Sequence, residues 1–464
     1  MATFHESIEK TNKIYNTLVT NDHFLELYQT IDSVKKHLDI REEITGEKIG
    51  LGKFTPSPFF ITQKNYIALS DVSKKINAIV ENILTAWLDG DEKLREFFNV
   101  HPSVAALIIK QYSQWQSYSR YDFIINSEEQ IKLNEINAAS PGFLVFAGDV
   151  NRLARQWINT NYHNEKPHAQ TMESKFSCLN IVETIEKQAN VIPKTIAILY
   201  DDHYLFFELY ELKKRFNDAG RAAIVAHIKE CQYRNGKLYI NNEEISTVFN
   251  NFFLQGEKLN LNVIGNWQIF PFDSKAHPYY NFCRAILNNA VVLVHGFGPL
   301  SVLENKSLFA VLSSQLFSYL FTSQEQKFLK TYIPHTTTKN LIQGGSIVEK
   351  EFFIQNKDKF VFKTTFSGAG LGVQLGKETT IDKWKILIEN CQSDYIVQEC
   401  ITPMSIPLAI PSSKGMFETA RFNNCMVFFN VQGNLYGVIS RLSNSSRVNA
   451  MSGAYMQPVV VVSD

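Results

Sequence analysis

The 464-residue chain has no charge excess, because 46 basic residues are matched by 46 acidic ones. That balance excludes the basic footprint of a nucleic-acid binder and the polybasic face of a membrane-surface protein. Only six cysteines occur (Cys178, Cys231, Cys283, Cys391, Cys400, Cys425), scattered and without a Cys-x-x-Cys pair. They read as free thiols in a reducing compartment rather than a disulfide framework. The eleven histidines show no zinc spacing; His163 and His168 lie in a polar stretch. No apolar run is long enough to span a bilayer, and the nearest, Leu308 to Phe321, is broken by Ser313, Ser314, Gln315 and Ser318. The polar opening Met1-Ala-Thr-Phe-His-Glu-Ser is unlike a secretory leader. These absences predict a cytoplasmic protein that meets neither nucleic acid nor membrane, and they leave its oligomeric state open.

Common phosphate-binding and hydrolase signatures are missing too. No loop carries the Gly-Lys-Ser/Thr of a Walker motif, and the Rossmann fingerprint fails because Val373 stands where its third glycine belongs. Gly296-Phe-Gly298-Pro after His295 is similar to an esterase oxyanion loop, but no Gly-x-Ser-x-Gly accompanies it.

What is present is a large core: 45% hydrophobic residues, with 34 Phe and 19 Tyr. That indicates a compact globular protein, and the length allows two or three domains; the element pattern below makes it α/β (α+β). Residues 1–118 read as mostly helical. Ser70-Asp71 looks like an N-cap, followed by Val72, Ile76, Ile79, Val80, Ile83, Leu84 and Trp87 on one face. Residues 119–190 hold a polar hairpin and a connector. Residues 191–295 read as a small α/β unit: strand 195–200, helix 205–216, strand 222–226, a hairpin at Asn235-Gly236, a turn at Asn241-Asn242 and a last strand 291–294. Residues 296–464 become helix and then a series of hairpins.

The hairpin Arg120 to Asn137 is the most informative segment. With a four-residue loop Ser127-Glu-Glu-Gln130, Asn126 pairs with Ile131, Asp122 faces Glu135 and Arg120 faces Asn137. Two carboxylates opposed across a ladder repel, so a cation is expected between them. Carboxylate and amide oxygens suit a hard divalent ion such as Mg²⁺, whose remaining ligands are typically phosphates. The bland alternative is a hairpin whose charges face water.

A second signal is Asp358 to Gly376. Lys363 alternates with Val361 and Thr365, while Phe360, Phe362 and Phe366 take the other face. Ser367-Gly368-Ala369-Gly370 then turns the chain into a return strand, 371–375. A glycine-rich hairpin tip can close its backbone N–H groups over phosphates, with a lysine behind it. Tyr395 to Ile401 reads as a strand carrying adjacent polar Gln398 and Glu399. Arg441 ends a hairpin turning at Gln432-Gly433-Asn434, with Arg421 just before its first strand; arginines there would stabilise phosphoryl charge. Lys306 sits at the start of an amphipathic helix, where a cation opposes the dipole.

Together these residues resemble the ATP-grasp superfamily, and in particular its circularly permuted type, similar to the synthetase domain of glutathionylspermidine synthetase. In ATP-grasp enzymes the lysine strand and glycine-rich flap come before the acidic strand and the Glu-x-Asn. Here Asp122 and Glu135-x-Asn137 come first. The resemblance implies a circularly permuted ATP-grasp fold with a small Rossmann-like pre-ATP-grasp subdomain and a helical N-terminal region. It implies ATP and Mg²⁺ as cofactors. Asp122, Glu135 and Asn137 would hold the metal, and Arg120 and Arg441 would act on the transferring phosphoryl group. Lys306, Lys363, Ser367, Gly368, Ala369, Gly370, Gln398, Glu399 and Ile401 would hold the nucleotide. The implied activity is an ATP-dependent carboxylate–amine ligase acting on small-molecule partners through an acyl phosphate. A carrier-protein thiol or a hydroxyl as acceptor, or a nucleotide-binding scaffold without catalysis, are the alternatives. The C-terminal pattern of Arg441 and Asn449 is closer to the general superfamily than to glutathionylspermidine synthetase, so polyamine and glutathione substrates are not carried over; whether Arg421 or Arg447 joins the site is left open.

Overall fold

The computed structural model describes residues 4–18, 53–111, 118–161, 178–200, 206–250, 279–338, 347–366, 372–390, 395–411, 417–446 and 454–464, apart from short gaps at 56, 101, 139–140, 143 and 432, together with the single positions 25, 29, 275 and 448. Three sheets organise it, of eight, six and four strands.

The eight-stranded sheet is built around the long strand Phe417–Val431. One edge of that strand pairs antiparallel with Asn434–Ser443; its other edge is shared, end to end, by Ser405–Pro411 and Tyr118–Ile125. Asn424 sits at the junction of those two strands, fully buried. Its side-chain amide replaces the missing ladder rungs: Oδ1 accepts from the Ile125 N–H (3.2 Å), and Nδ2 donates to the carbonyl oxygens of Ile125 (3.3 Å) and Met404 (2.7 Å). Buried backbone groups need such partners. The β-branched run at the chain's end forms Tyr455–Val462, which pairs with Asn434–Ser443 and, in parallel, with two short N-terminal strands, Lys53–Phe54 and Phe59–Thr62. The first hundred residues are therefore not purely helical, since these two strands extend the main sheet.

Helix Gln63–Leu88 covers one face of that sheet. Val72, Ile76, Ile79, Val80, Ile83, Leu84 and Trp87 are all buried along it, as their spacing predicts. Its cap differs from the expectation: Thr62 accepts from the Asn65 N–H, and Ser70-Asp71 lies inside the helix. A run of good helix formers continues the ladder back past the first plausible cap. On the opposite face, Asn151 of helix Leu144–Asn161 donates to the Val438 carbonyl (2.7 Å) and accepts from the Val459 N–H (2.9 Å).

In the six-stranded sheet, Thr195–Tyr200 lies between two parallel neighbours, Ala223–His227 and Glu243–Asn250; helix Phe206–Asp218 makes the crossover. Turns with positive φ at Asn235, Gly236, Asn241 and Asn242 connect the short strands Gln232–Arg234, Lys237–Ile240 and Glu243–Asn250. Buried Glu186 receives a bidentate pair from Arg221, both at 2.9 Å, and a bond from the Thr247 hydroxyl. Strand Val292–Leu293 pairs with Glu243–Asn250, and the chain then passes His295, which is buried edge-on to Phe249 with its ring pKa lowered by burial to about 3.

The four-stranded sheet runs Thr336–Thr338, Tyr395–Glu399, Phe360–Thr364, Gln374–Leu375, all antiparallel. One face packs Phe360, Phe362 and Val397 with Phe353, Trp384 and Ile388 of two helices, Ile347–Gln355 and Ile381–Glu389. The other face carries Lys363, Gln398 and Thr336. Among the described residues no helix is long and apolar enough to cross a membrane.

Candidate nucleotide and metal site

The acidic hairpin forms as Tyr118–Ile125 and Ile131–Asn137, with Arg120 opposite Asn137 and Asp122 opposite Glu135. Its tip departs from the expected register. Asn126 bonds back to Gln130 (N–H to O, 2.8 Å), and the Asn126 side chain accepts from the Glu128 and Gln130 N–H groups. Glu129 takes φ 59°, so the loop is one residue tighter and Ile131 pairs with Ile125. The extra residue reappears as a bulge: Phe123 pairs with Leu133, Asp122 with Glu135, and Asn134 is left over. The consequence is a change of face. Leu133 and Ile136 are both core residues, while Glu135 and Asn137 share the open face without Leu133.

On that face Asp122 is buried between two guanidiniums. Arg120 Nε donates to Oδ1 (2.9 Å) and Arg120 Nη2 to Oδ2 (3.2 Å), while Arg441 Nη2 also donates to Oδ2. Arg120 Nη1 reaches the Gly142 carbonyl (3.3 Å), and Arg441 Nη2 lies 3.6 Å from the Cys425 thiol. Burial acts to lower the Arg441 pKa, but the Asp122 carboxylate outweighs it and raises it. Burial pushes the Cys425 thiol up to about 12, so it stays protonated.

The lysines arrive from the other side. Lys306 lies in a turn before the short helix Leu308–Ser313, outside the helix itself, and its Nζ pairs with Glu135 Oε1 at 2.9 Å. That turn is pinned twice: the Ala138 N–H donates to Glu304 Oε2 (3.0 Å), and the Lys306 N–H donates to the Thr365 carbonyl (2.9 Å). It thereby ties the hairpin's end to the lysine strand. Lys363 is buried, and its Nζ donates to Gln398 Oε1 (2.6 Å) and to Asn134 Oδ1 (3.1 Å), a contact between residues 229 apart in sequence. Gln398 Nε2 passes the chain of bonds on to the Thr336 hydroxyl (3.0 Å). Burial lowers the Lys363 pKa to about 8, against the opposing pull of Glu135. For Glu135 burial raises the carboxyl, and the Lys306 ammonium, helped by Arg120 and Lys363, overrides it and holds it down at about 2.

Of the expected residues, Arg120, Asp122, Glu135, Asn137, Lys306, Lys363, Gln398 and Arg441 meet in one cleft. Glu399 does not point into it; its exposed carboxylate accepts from the His335 N–H (3.3 Å). Ile401 is half-buried just beyond its strand. Ser367, Gly368, Ala369 and Gly370 lie outside the described residues, as do Arg447 and Asn449. Arg421 lies within strand Phe417–Val431 rather than before it; exposed there, it donates to the Ser405 carbonyl, away from the cluster. Asn134 was not expected to take part. The spacing of two between Ile131 and Leu133, then three between Leu133 and Ile136, is the sequence trace of the bulge that re-aims it.

Counting the charged groups that face one another, four buried cations (Arg120, Arg441, Lys306, Lys363) meet the buried carboxylate of Asp122 and the half-buried one of Glu135. Such a cleft attracts a polyanion. A divalent cation also fits, on a smaller donor set than the sequence suggested. Both Asp122 oxygens are occupied by guanidinium N–H groups. Glu135 keeps 24% of its side chain exposed. Asn137 Nδ2 is buried with no hydrogen-bond partner; a half-turn of the amide puts Oδ1 there, an oxygen suited to a hard cation. Among the described residues no group of three or more His, Cys, Asp or Glu is arranged to hold a metal ion, so ligand oxygens must complete the shell.

No family model matches the chain, and no curated protein matches it in sequence. Solved structures do. A glutathione synthetase-like effector from Globodera pallida, in its apo form, superposes with a TM-score of 0.55 at 12% identity, covering 96% of this chain and 99% of that one. A proposed γ-glutamylcysteine synthetase from Methylobacillus flagellatus (TM-score 0.36, 9% identity, 81% and 83% coverage) and D-alanyl-alanine synthetase A from Vibrio cholerae (0.29, 9%, 58% and 88%) lie too far to bear on the fold. The chain is thus a mixed α/β protein that shares, over nearly its whole length, the fold of a glutathione synthetase-like effector.

Proposed function

We propose that this chain is an ATP-dependent, ADP-forming carboxylate–amine ligase with a circularly permuted ATP-grasp arrangement. In that arrangement the α/β sheet at 191–295 is the pre-ATP-grasp subdomain. The observation that carries the proposal is the convergence of Lys306 and Lys363 on Glu135 and Asn134, across a cleft between two sheets. The likeness in fold to a synthetase-like protein supports it.

In this reading ATP lies between the four-stranded sheet and the hairpin. Lys363 and Lys306 exchange their amide and carboxylate partners for phosphate oxygens. Glu135 and Asn137 would hold Mg²⁺, which when bound neutralises phosphate charge and orients the γ-phosphoryl group. Arg120 and Arg441 offset the charge that builds as the phosphoryl group moves to a substrate carboxylate. An amine then attacks the acyl phosphate, forming the amide and releasing phosphate. Small-molecule carboxylate and amine substrates in the cytoplasm belong to the same proposal.

The test is ADP release by the whole protein against a panel of amino acids and amines, with Glu135→Gln alongside. A folded Glu135→Gln chain should release no ADP. Wild-type turnover in that variant removes the metal assignment. Phosphate found on the acceptor would make the chain a kinase, and ATP binding without turnover on any acceptor would make it a scaffold.

A further inference from the structure

Asp122 is the most completely engaged carboxylate in the cleft. Its side chain is 2% exposed, and all three of its hydrogen bonds come from arginine: Nε and Nη2 of Arg120 and Nη2 of Arg441. Strand register explains why. Arg120 is two residues away along the same strand face, and Arg441 reaches across from Asn434–Ser443 over Phe417–Val431, where Cys425 is its partner. A carboxylate held by a bidentate fork on one side and by a single N–H of a second guanidinium on the other cannot turn an oxygen outward without stranding a buried guanidinium. Arg441 Nε is itself buried with no hydrogen-bond partner, so one donor of this cluster is still free for a ligand.

We propose that Asp122 is a positioning residue: it fixes the spacing and direction of Arg120 and Arg441, and it is not a ligand of the divalent cation. The inference rests on the cleft being the metal–nucleotide site. Within it, Asp122 and Glu135 face each other across the hairpin yet do different work. Glu135, held by one flexible lysine, is the exchangeable carboxylate; Asp122, held by the Arg120 fork and by Arg441 Nη2, is the permanent one.

The test measures Mn²⁺ bound to the full chain with a non-hydrolysable ATP analogue, by electron paramagnetic resonance and calorimetry. Asp122→Asn should keep Mn²⁺ affinity near wild type while lowering kcat and the melting temperature; Glu135→Gln should lose Mn²⁺ binding. If Asp122→Asn does not fold, Asp122→Asn with Arg441→Gln removes the stranded charge as well. This pair should recover melting temperature and Mn²⁺ affinity but not turnover. Loss of Mn²⁺ binding in Asp122→Asn or in the folded double variant, matching Glu135→Gln, overturns the inference. A wild-type chain that binds no Mn²⁺–nucleotide at all removes the site reading beneath it, a result distinct from loss in the Asp122 variants alone.

Discussion

The two halves of the cleft hold their cations in opposite ways. On the eight-stranded sheet, Arg120 and Arg441 share one buried carboxylate, that of Asp122. On the four-stranded sheet, Lys363 is held only by neutral amides, those of Gln398 and Asn134, and burial pulls its pKa down to about 8. In the first half each cation bonds a carboxylate directly, with Arg441 Nε left over. In the second, Lys363 bonds no carboxylate directly, so an anionic oxygen arriving there would gain a charged partner for it. Guanidinium suits the fixed role because it keeps its proton and its planar geometry; the ammonium suits the exchangeable one.

Four experiments break or sharpen that contrast, from the largest effect down. Asp122→Asn leaves two buried guanidiniums short of charge and should cost about 3–5 kcal/mol of stability, measured by denaturant unfolding. Lys363→Met should act in the opposite sense. It removes a poorly compensated buried charge, so the chain without nucleotide should be no less stable than wild type. ATP affinity should fall by about 1.5–3 kcal/mol for the lost charged hydrogen bonds, read by calorimetry. If both variants lost stability equally, the contrast would fail.

Third, Gly376→Ala should loosen the stem of the lysine strand. A Cβ there would stand 1.8 Å from the Lys357 carbonyl oxygen, so backbone must shift, at about 1–3 kcal/mol by thermal unfolding. Last, pH acts on Lys363. Phosphate binding raises its pKa above the free value of about 8, so binding takes up a proton in that window. ATP affinity should therefore fall about tenfold, ~1.4 kcal/mol, between about pH 7 and 9. Lys363→Arg should flatten that dependence. The same depressed pKa gives the nucleotide-free chain a gain in stability as pH rises from about 8 toward the unfolded value of about 10.4, since the unfolded lysine holds the proton longer.

Much of the site was legible in the chain. Alternation placed Arg120 and Asp122 on one strand face and Lys363 opposite the phenylalanines, and the pairings Arg120–Asn137 and Asp122–Glu135 follow from the hairpin. Three features were not legible. The turn tightened by one residue because Glu129 adopts a left-handed conformation, which glutamate seldom does. The bulge that absorbs this moved Leu133 away from Glu135 and brought Asn134 to Lys363. The strand 395–399 reads as a buried strand, and it lies between two neighbours, but its sequence does not show that the Gln398 amide bonds both Lys363 and Thr336.

By itself the sequence determined the local periodicities: which residues make strands and helices, which faces are apolar, and which segments carry carboxylates, lysines and arginines. Period-two and period-3.6 patterns are properties of neighbouring residues, so they survive without a fold. Tertiary structure alone decided who neutralises whom. It gave Asp122 to two arginines and Glu135 to Lys306, and it set Lys363 beside amides instead of a carboxylate. Those choices depend on distances of a few ångströms between residues hundreds apart in the chain, where Coulomb energies in a buried cleft change steeply.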